Sequence, residues 1–375
     1  MVPCLRQSPA LRPAAQHDAE HLVVADQRSA PDPSVAAYEA VSRPDFDGFR
    51  ANPTATVLRN ADFFTWNMRT VGMGAERVGE ALPRLRLTRG RQPGPTVAIL
   101  GGVHGDELEG VLAARRVLAA LDPEGLRGSV RVAAPAHPAA WASVTRASPV
   151  DDLNLARVFP GSPEGRPTER VAAYLTDRLI AGADLLIDLH SAGEGFDMPL
   201  LAGYHAGEGP RCERAAEAAR AFGAPFLWQH PDLSPGRSLS AAADLGVPAL
   251  YVEGHGGGQV RSADLDCYVD GVLRVLHHLG MIEEAPAPAA PSTTVRGDGD
   301  TDGGVEADVD GYLVTATEVG RLVRAGERLG SILDEEGCTV ADVRSPQDGV
   351  VMLVRRRARV SAGDTLAIVA ERVDA

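Results

Sequence analysis

Residues 97–110 read VAILGGVHGDELEG. Four apolar residues run into two glycines, and a histidine, an aspartate and a glutamate then follow within four positions. The length of the run, its β-branched residues and the turn signals around it predict a buried strand. The next segment, ELEGVLAARRVLAAL, has helical spacing, and Asp122-Pro123 closes it. A strand, a polar turn and a helix in that order form the opening unit of an α/β sheet.

The unit recurs outward along the chain. GSVRVAAPA reads as a second strand and TERVAAYLTDRLI as a second helix. ADLLIDLHS is a third strand, CERAAEAARAFG a helix, PALYVEGHGG a further strand and CYVDGVLRVLHHLG a closing helix. Strands separated by helices predict a largely parallel sheet flanked by helices on both faces. Such sheets bind ligands just beyond the carboxyl ends of their strands. Residues 1–52 read as a loosely structured extension, and short strand-like pieces such as LPRLRL precede the main pattern. The α/β domain is expected over 53–282 and a Pro/Ala/Ser linker over 283–298. Residues 299–375 carry short β pieces with an internal echo: runs beginning at Gly311 and Gly349 each lead to an AG(E/D)xL turn, at Gly326 and Gly363. Two related hairpin units suggest a small all-β domain resembling a biotinyl or lipoyl fold. That fold carries its cofactor on a lysine, and this chain has none, so a carrier role is rejected.

Composition narrows the function. The chain has 375 residues, 44% of them hydrophobic, enough for one large domain and a smaller one. A net charge of −14 argues against nucleic acid or an anionic membrane as a partner. All 37 basic residues are arginines, which excludes Schiff-base and P-loop lysine chemistry. Cys4, Cys212, Cys267 and Cys338 are dispersed, so neither a disulfide framework nor a cysteine zinc site is expected. With no signal-peptide pattern and no apolar run of membrane-spanning length, a cytoplasmic location is the expectation.

The chemistry-bearing residues cluster at predicted strand ends. His104 and Glu107 follow the first core strand at a spacing that lets a turn aim both at one point. Imidazole nitrogen and carboxylate oxygen both ligate zinc, at about 2.0–2.2 Å. Alone, the pair is a weak metal signal, and a surface histidine followed by a helix-start glutamate that meets the dipole accounts for it well. His190, at the end of another buried strand, adds a third donor. Two histidines and a carboxylate leave a zinc position open for water. Asp188 lies two residues earlier on the same face, placed either to accept the second ring N–H of a ligand histidine or as a solvated strand end. Glu253 ends a strand beside the glycines of GHGGG, which suits a general base and also a turn acid. His255 is its rival. The irregular loop VTRASPVDDLNLARVFPG, over 144–161, carries Arg146 and Arg157, which either polarise a carbonyl and clamp a carboxylate or are solvated.

Together HGDE, the TRxSPxDxxNLxRxFPG loop, IDLHS and a late strand-end glutamate resemble the succinylglutamate desuccinylase/aspartoacylase family of the zinc carboxypeptidase superfamily. The similarity is greatest to its deacylase branch, which includes enzymes that deacetylate N-acetyl-diaminobutyrate. The resemblance runs from about Pro93 to Gly280. It implies one Zn2+ per chain held by His104, Glu107 and His190, Glu253 as the catalytic glutamate, Arg146 polarising the scissile carbonyl, and Arg157 binding a substrate carboxylate, with Asn154 as a further substrate contact. It also leaves room for a homo-oligomer. One departure stands out: the family reads NLNRxFPG, and here Ala156 replaces the asparagine before the arginine.

The resemblance and the residues together point to a zinc-dependent amide hydrolase acting on a small N-acylated amino acid or amine. A carboxypeptidase-type peptidase and a non-catalytic metal-binding scaffold of the same fold are the alternatives.

Overall fold

The computed structural model describes residues 81–299 and 304–373. The expected extension over 1–52 and the strand-like pieces before residue 81 lie outside the described residues.

The α/β part begins with β1 (Leu85–Arg89) and β2 (Gln92–Gly101), followed by α1 (Leu108–Ala120), β3 (Arg127–Ala133) and α2 (Pro138–Ser143). A 3₁₀ turn, Leu155–Arg157, punctuates the long loop. Then come α3 (Pro167–Leu175), which runs into a π turn over Thr176–Ile180, β4 (Leu185–Leu189), β5 (Phe196–Asp197), β6 (Leu201–His205), α4 (Pro210–Phe222), β7 (Phe226–His230), α5 (Ser238–Asp244), β8 (Ala249–Glu253) and α6 (Ser262–His278). The helix boundaries follow local chemistry. Prolines open α3 and α4, where no amide hydrogen bond is lost, and Gly223 ends α4 in the left-handed region at φ 77°.

Strands β3, β2, β4 and β8 run parallel, with β1 antiparallel at one edge. Beyond β8 the direction reverses: β6 is antiparallel to β8, and β7 continues parallel to β6. The sheet is therefore mixed. Its core forms two layers that the strand pleat separates. Val97 and Ile99 of β2 face α1, α4 and α6, while Ala98 and Leu100 face α3 and α5. All five residues of β4 are buried, as an apolar strand covered on both faces requires.

The stretch expected as a linker over 283–298 ends in a strand. Thr293–Arg296 forms β9, parallel to β7, because its β-branched residues meet an open sheet edge. Strand β9 then pairs with the chain's last strand. The C-terminal β region comprises β10 (Val305–Glu306), β11 (Gly311–Thr315), β12 (Leu322–Val323), β13 (Arg328–Leu333), β14 (Thr339–Arg344), β15 (Gly349–Arg355), β16 (Arg359–Val360) and β17 (Thr365–Arg372). Strand β17 pairs with β9, and β15 pairs with β5, so these strands are joined to the α/β sheet by hydrogen bonds. A second sheet has the order β14-β13-β11-β16. Among the described residues no helix is long and apolar enough to cross a membrane.

Register positions the site. Gly101 of β2 lies beside Leu189 of β4, and Leu189 lies beside Val252 of β8. The three parallel strands therefore end together, and the residues that follow emerge at one edge. Gly110 tightens the arrangement. A Cβ there would sit 2.1 Å from the Leu189 carbonyl oxygen, so its absence lets α1 press against the end of β4.

Candidate active site

His104 lies just beyond β2, Glu107 precedes the first turn of α1, His190 follows β4 and Glu253 ends β8. His104, Glu107 and His190 are buried, with 2%, 1% and 9% exposure. One donor atom from each lies within 4.8 Å of the others, close enough for the three to hold one metal ion.

The ring nitrogens are organised from behind. His104 Nε2 donates to Asn154 Oδ1 at 3.0 Å, and that oxygen is identified by the Ala156 N–H donating to it at 2.9 Å. His104 Nδ1 then faces Glu107 Oε1 at 2.6 Å. His190 repeats the pattern, with Nε2 3.1 Å from Asp188 Oδ2 and Nδ1 2.8 Å from Glu107 Oε2. Ser238 Oγ donates to the same Asp188 oxygen, and the Ser191 amide donates to Glu107 Oε2 at 3.3 Å. With a proton on each ring nitrogen that faces Asn154 or Asp188, the other two ring nitrogens and the Glu107 carboxylate would converge on one point and could hold a cation. Arg146 is a cation already there: its Nη1 is 3.0 Å from Glu107 Oε1 and 3.3 Å from His104 Nδ1. A mixed imidazole–carboxylate set with oxygen acceptors behind both rings fits a divalent metal such as zinc.

The electrostatics show how the cluster balances its own charge, with His190 rather than an ion as the cation beside Glu107. Burial, with Arg146 adding to it, lowers the His104 pKa against the pull of Glu107. Burial alone would raise Glu107, but the two imidazoles hold it well below the usual carboxylate range. Burial opposes a charge on His190, and Asp188 and Glu107 overcome it, pushing its pKa well up. Burial and then the Glu107 charge push Glu253 to about 8. Its Oε2 is enclosed and has no hydrogen-bond partner among the described residues. A carboxylate kept basic and unpartnered beside a cation site is a proton acceptor in waiting.

These groups open into a cleft of about 150 Å³, whose walls include Arg146, Ala156, Arg157, Glu253 and Asp188. Asn154 stands against His104 and is not among the lining residues. His255 does not line the cleft either; its Nδ1 is 2.9 Å from Asp264 Oδ2, at the head of α6. Other lining residues carried no sequence signal. Arg237, at the start of α5, reaches the Ala156 carbonyl with Nη1 at 2.9 Å. Its helix is only seven residues long, too short to stand out as a period in SPGRSLSAAAD. Tyr251, His230, Asp232 and Asp298 also face the cleft, from segments that the sequence alone does not bring together.

The model of the succinylglutamate desuccinylase/aspartoacylase catalytic domain matches residues 93–279. Over 289 residues the chain is 32% identical to the N-alpha-acetyl-L-2,4-diaminobutyric acid deacetylase of Halomonas elongata, covering 76% of this chain and 84% of that protein. The chain belongs to the succinylglutamate desuccinylase/aspartoacylase family. A succinylglutamate desuccinylase/aspartoacylase structure from Rhodobacter sphaeroides is 31% identical, with a TM-score of 0.71 over 78% of this chain and 90% of that one. The product-bound ectoine utilization protein of Ruegeria pomeroyi is 26% identical, with a TM-score of 0.72 over 77% of this chain and 93% of that one. As a member of this family the chain is an amide hydrolase acting on bonds other than peptide bonds.

Proposed function

We propose that the protein is a zinc-dependent deacylase that removes an acyl group from a small N-acylated amino acid or amine. The observation that carries this reading is the convergence at one sheet edge of His104, Glu107 and His190 with the enclosed, unpartnered Glu253 Oε2. His104, Glu107 and His190 would hold one ion. When bound, such an ion supplies Lewis-acid activation of water and of the acyl carbonyl.

The chain's own residues do the rest. Glu253 takes a proton from the attacking water and delivers it to the amine nitrogen as the C–N bond breaks. Its placement in a low-dielectric corner raises its basicity for the first half of that cycle. Arg146 offers N–H donors to the oxygen on which negative charge builds, a role worth about 3–4 kcal/mol in comparable sites. Arg157 and Arg237 flank the Ala156 carbonyl on the cleft wall and suit a carboxylate on the substrate. With alanine at 156, that carboxylate is held by guanidinium groups and backbone rather than by an asparagine amide.

The test is a screen of N-acetyl, N-succinyl and N-formyl amino acids on zinc-loaded protein, with metal content measured alongside. Stoichiometric zinc with turnover of at least one class is expected. Stoichiometric zinc without turnover of any of them overturns the deacylase reading.

A further inference from the structure

Three arginines stand in succession, Arg355, Arg356 and Arg357, in a chain of net charge −14. Such a run reads as a patch for an anionic partner. The structure gives the three arginines carboxylates of this chain instead. They sit where β15 turns into β16. Arg355 Nη2 is 2.8 Å from Asp364 Oδ2, which ties the turn to its own β region. Arg357 Nη2 reaches Glu194 Oε2 at 3.5 Å, and Arg356 Nη1 is 3.8 Å from Asp197 Oδ2. Both of these acids belong to the loop that follows His190.

Arg356 also meets the loop that follows Glu253. That loop reads Gly-His-Gly-Gly-Gly over 254–258. Gly256, Gly257 and Gly258 all lie in the left-handed region, at φ 63°, 72° and 68°. Glycine loses more backbone freedom on ordering than any other residue, so the loop's shape depends on what holds its backbone. The Gly193 carbonyl oxygen accepts the Gly257 amide at 2.6 Å and the Gly258 amide at 3.3 Å. A Cβ on Gly256 would be 2.7 Å from the same oxygen. His255 is drawn off to Asp264 at 2.9 Å. The Arg356 guanidinium lies on Gly257, where a Cβ would be 2.8 Å from its Cζ. The Arg356 amide donates to the Gly195 carbonyl at 2.9 Å, so this one residue holds both loops.

The metal-binding donors do not depend on this hold. His104 and Glu107 sit between β2 and α1, and the His190 amide donates to the Val252 carbonyl at 2.9 Å, inside the sheet. Glu253 is placed differently. On one side it pairs with Leu201 of β6. On the other side the ladder between β4 and β8 has ended at Leu189 and Val252. Beyond that point the two loops meet, with the Ala192 amide donating to the Gly254 carbonyl at 3.1 Å.

We propose that Arg356 is a positioning residue for Glu253: from the C-terminal β region it clamps the loops after His190 and Glu253 to each other, and so sets where the glutamate carboxylate stands. This rests on the reading of Glu253 as the base, and it gives the C-terminal β region a part in the reaction. The carboxylate serves both the water and the amine nitrogen within one cycle, and a misplacement of about 1 Å can cost about 10²-fold in rate.

The experiment compares Arg356→Ala and Arg356→Lys with the wild type, all as full-length, zinc-loaded protein. Hydrogen exchange reads the clamp without turnover. The Gly257 and Gly258 amides are expected to exchange at least about tenfold faster in Arg356→Ala, as a local opening. Zinc affinity, by chelator competition, should stay within about threefold of the wild type, the donors being held by the sheet and α1. On the fastest substrate of the N-acetyl, N-succinyl and N-formyl screen, kcat should fall at least about tenfold with KM within about threefold. Arg356→Lys keeps the charge near Asp197 and loses the plane over Gly257, so it should lie between the other two in exchange and in kcat. If Arg356→Ala does not fold, Arg356→Lys gives the same readouts in the same direction. Unchanged exchange at Gly257 and Gly258, or faster exchange with kcat untouched, overturns the proposal. An equal loss of zinc affinity and kcat also overturns it, since that is the mark of a general structural defect. If the wild type turns over none of the substrates, faster exchange in Arg356→Ala still supports the clamp, and the deacylase reading is what fails.

Discussion

Asn154 Oδ1 accepts the Nε2–H of His104 at 3.0 Å, across 50 residues of chain. That bond fixes which imidazole nitrogen keeps its lone pair, and the lone pair faces Glu107. Removing the amide frees the ring to take the other tautomer or to turn. Asn154→Ala is therefore expected to weaken zinc binding by about 10–100-fold, the usual effect of losing such a backing partner. Competition against a chromophoric chelator measures it. Unchanged affinity would show that the ring needs no partner behind it.

Glu253→Gln keeps the shape of the side chain and removes its basicity. Zinc content should stay stoichiometric while kcat falls by about 10²–10⁴, the range of general acid–base contributions. The base must be ionised to act, so activity rises with pH through its pKa. Burial and Glu107 place that value at about 8 in the metal-free protein. A cation at the neighbouring cluster stabilises the carboxylate, so the acid limb of kcat/KM should lie below 8. Wild-type-like turnover in the glutamine variant would move the base elsewhere.

Chelation should abolish activity, and added zinc should restore it. The metal-free protein also keeps Glu107 and the two histidines clustered without their ion, so its melting temperature should drop and recover with zinc. Full activity in protein shown by elemental analysis to be metal-free contradicts the metal-dependent mechanism.

Stability should decline below neutral pH. Burial lowers both His137 and His230 to about 4 from the usual histidine value of 6.5. The unfolded chain takes up these protons between about 6.5 and 4 while the folded chain does not. Stability is thus full above pH 6.5 and is lost as pH falls toward 4, by up to about 3 kcal/mol per histidine. His137 accepts the Ala140 amide at the start of α2 and donates to Thr168 Oγ1 at 3.2 Å. Urea midpoints at pH 7.5 and 5 should differ less in His137→Asn than in wild type. Equal slopes would remove His137 from the acid sensitivity.

Gly110→Ala tests the close approach of α1 to β4. The added Cβ meets the Leu189 carbonyl at 2.1 Å, so helix and strand must separate. Overpacking of this kind costs about 1–3 kcal/mol. Because Glu107 and His190 ride on those two elements, zinc affinity should fall with the melting temperature. A lower melting temperature with unaltered zinc affinity would uncouple the packing from the site.

Much of this architecture is legible in the chain. Strands β2, β4 and β8 are apolar runs that end in glycine or a polar residue, and burial on both faces leaves such runs few other fates. Strands β6 and β7 are harder: LAGYH and FLWQH mix glycine, glutamine and histidine with apolar residues, and their partners decide them. Strand β9 hides at the end of a proline-rich stretch, because its role depends on a sheet edge contributed by β7. The helix bearing Arg237 is too short to show a period.

The amino-acid sequence by itself determined the donor set of the site. It placed His104, Glu107, His190 and Glu253 at strand ends, because buried strands must stop at polar turns and parallel strands stop together. Tertiary structure alone decided what those donors can do. The tautomers of His104 and His190 depend on acceptors, and Glu107 meets His190 from 83 residues away. The carboxylates and aromatic rings around Tyr251 come from β7, β8 and the segment after β9. Hydrogen-bond partners and cleft walls follow from sheet register and helix packing, and no local spacing encodes them.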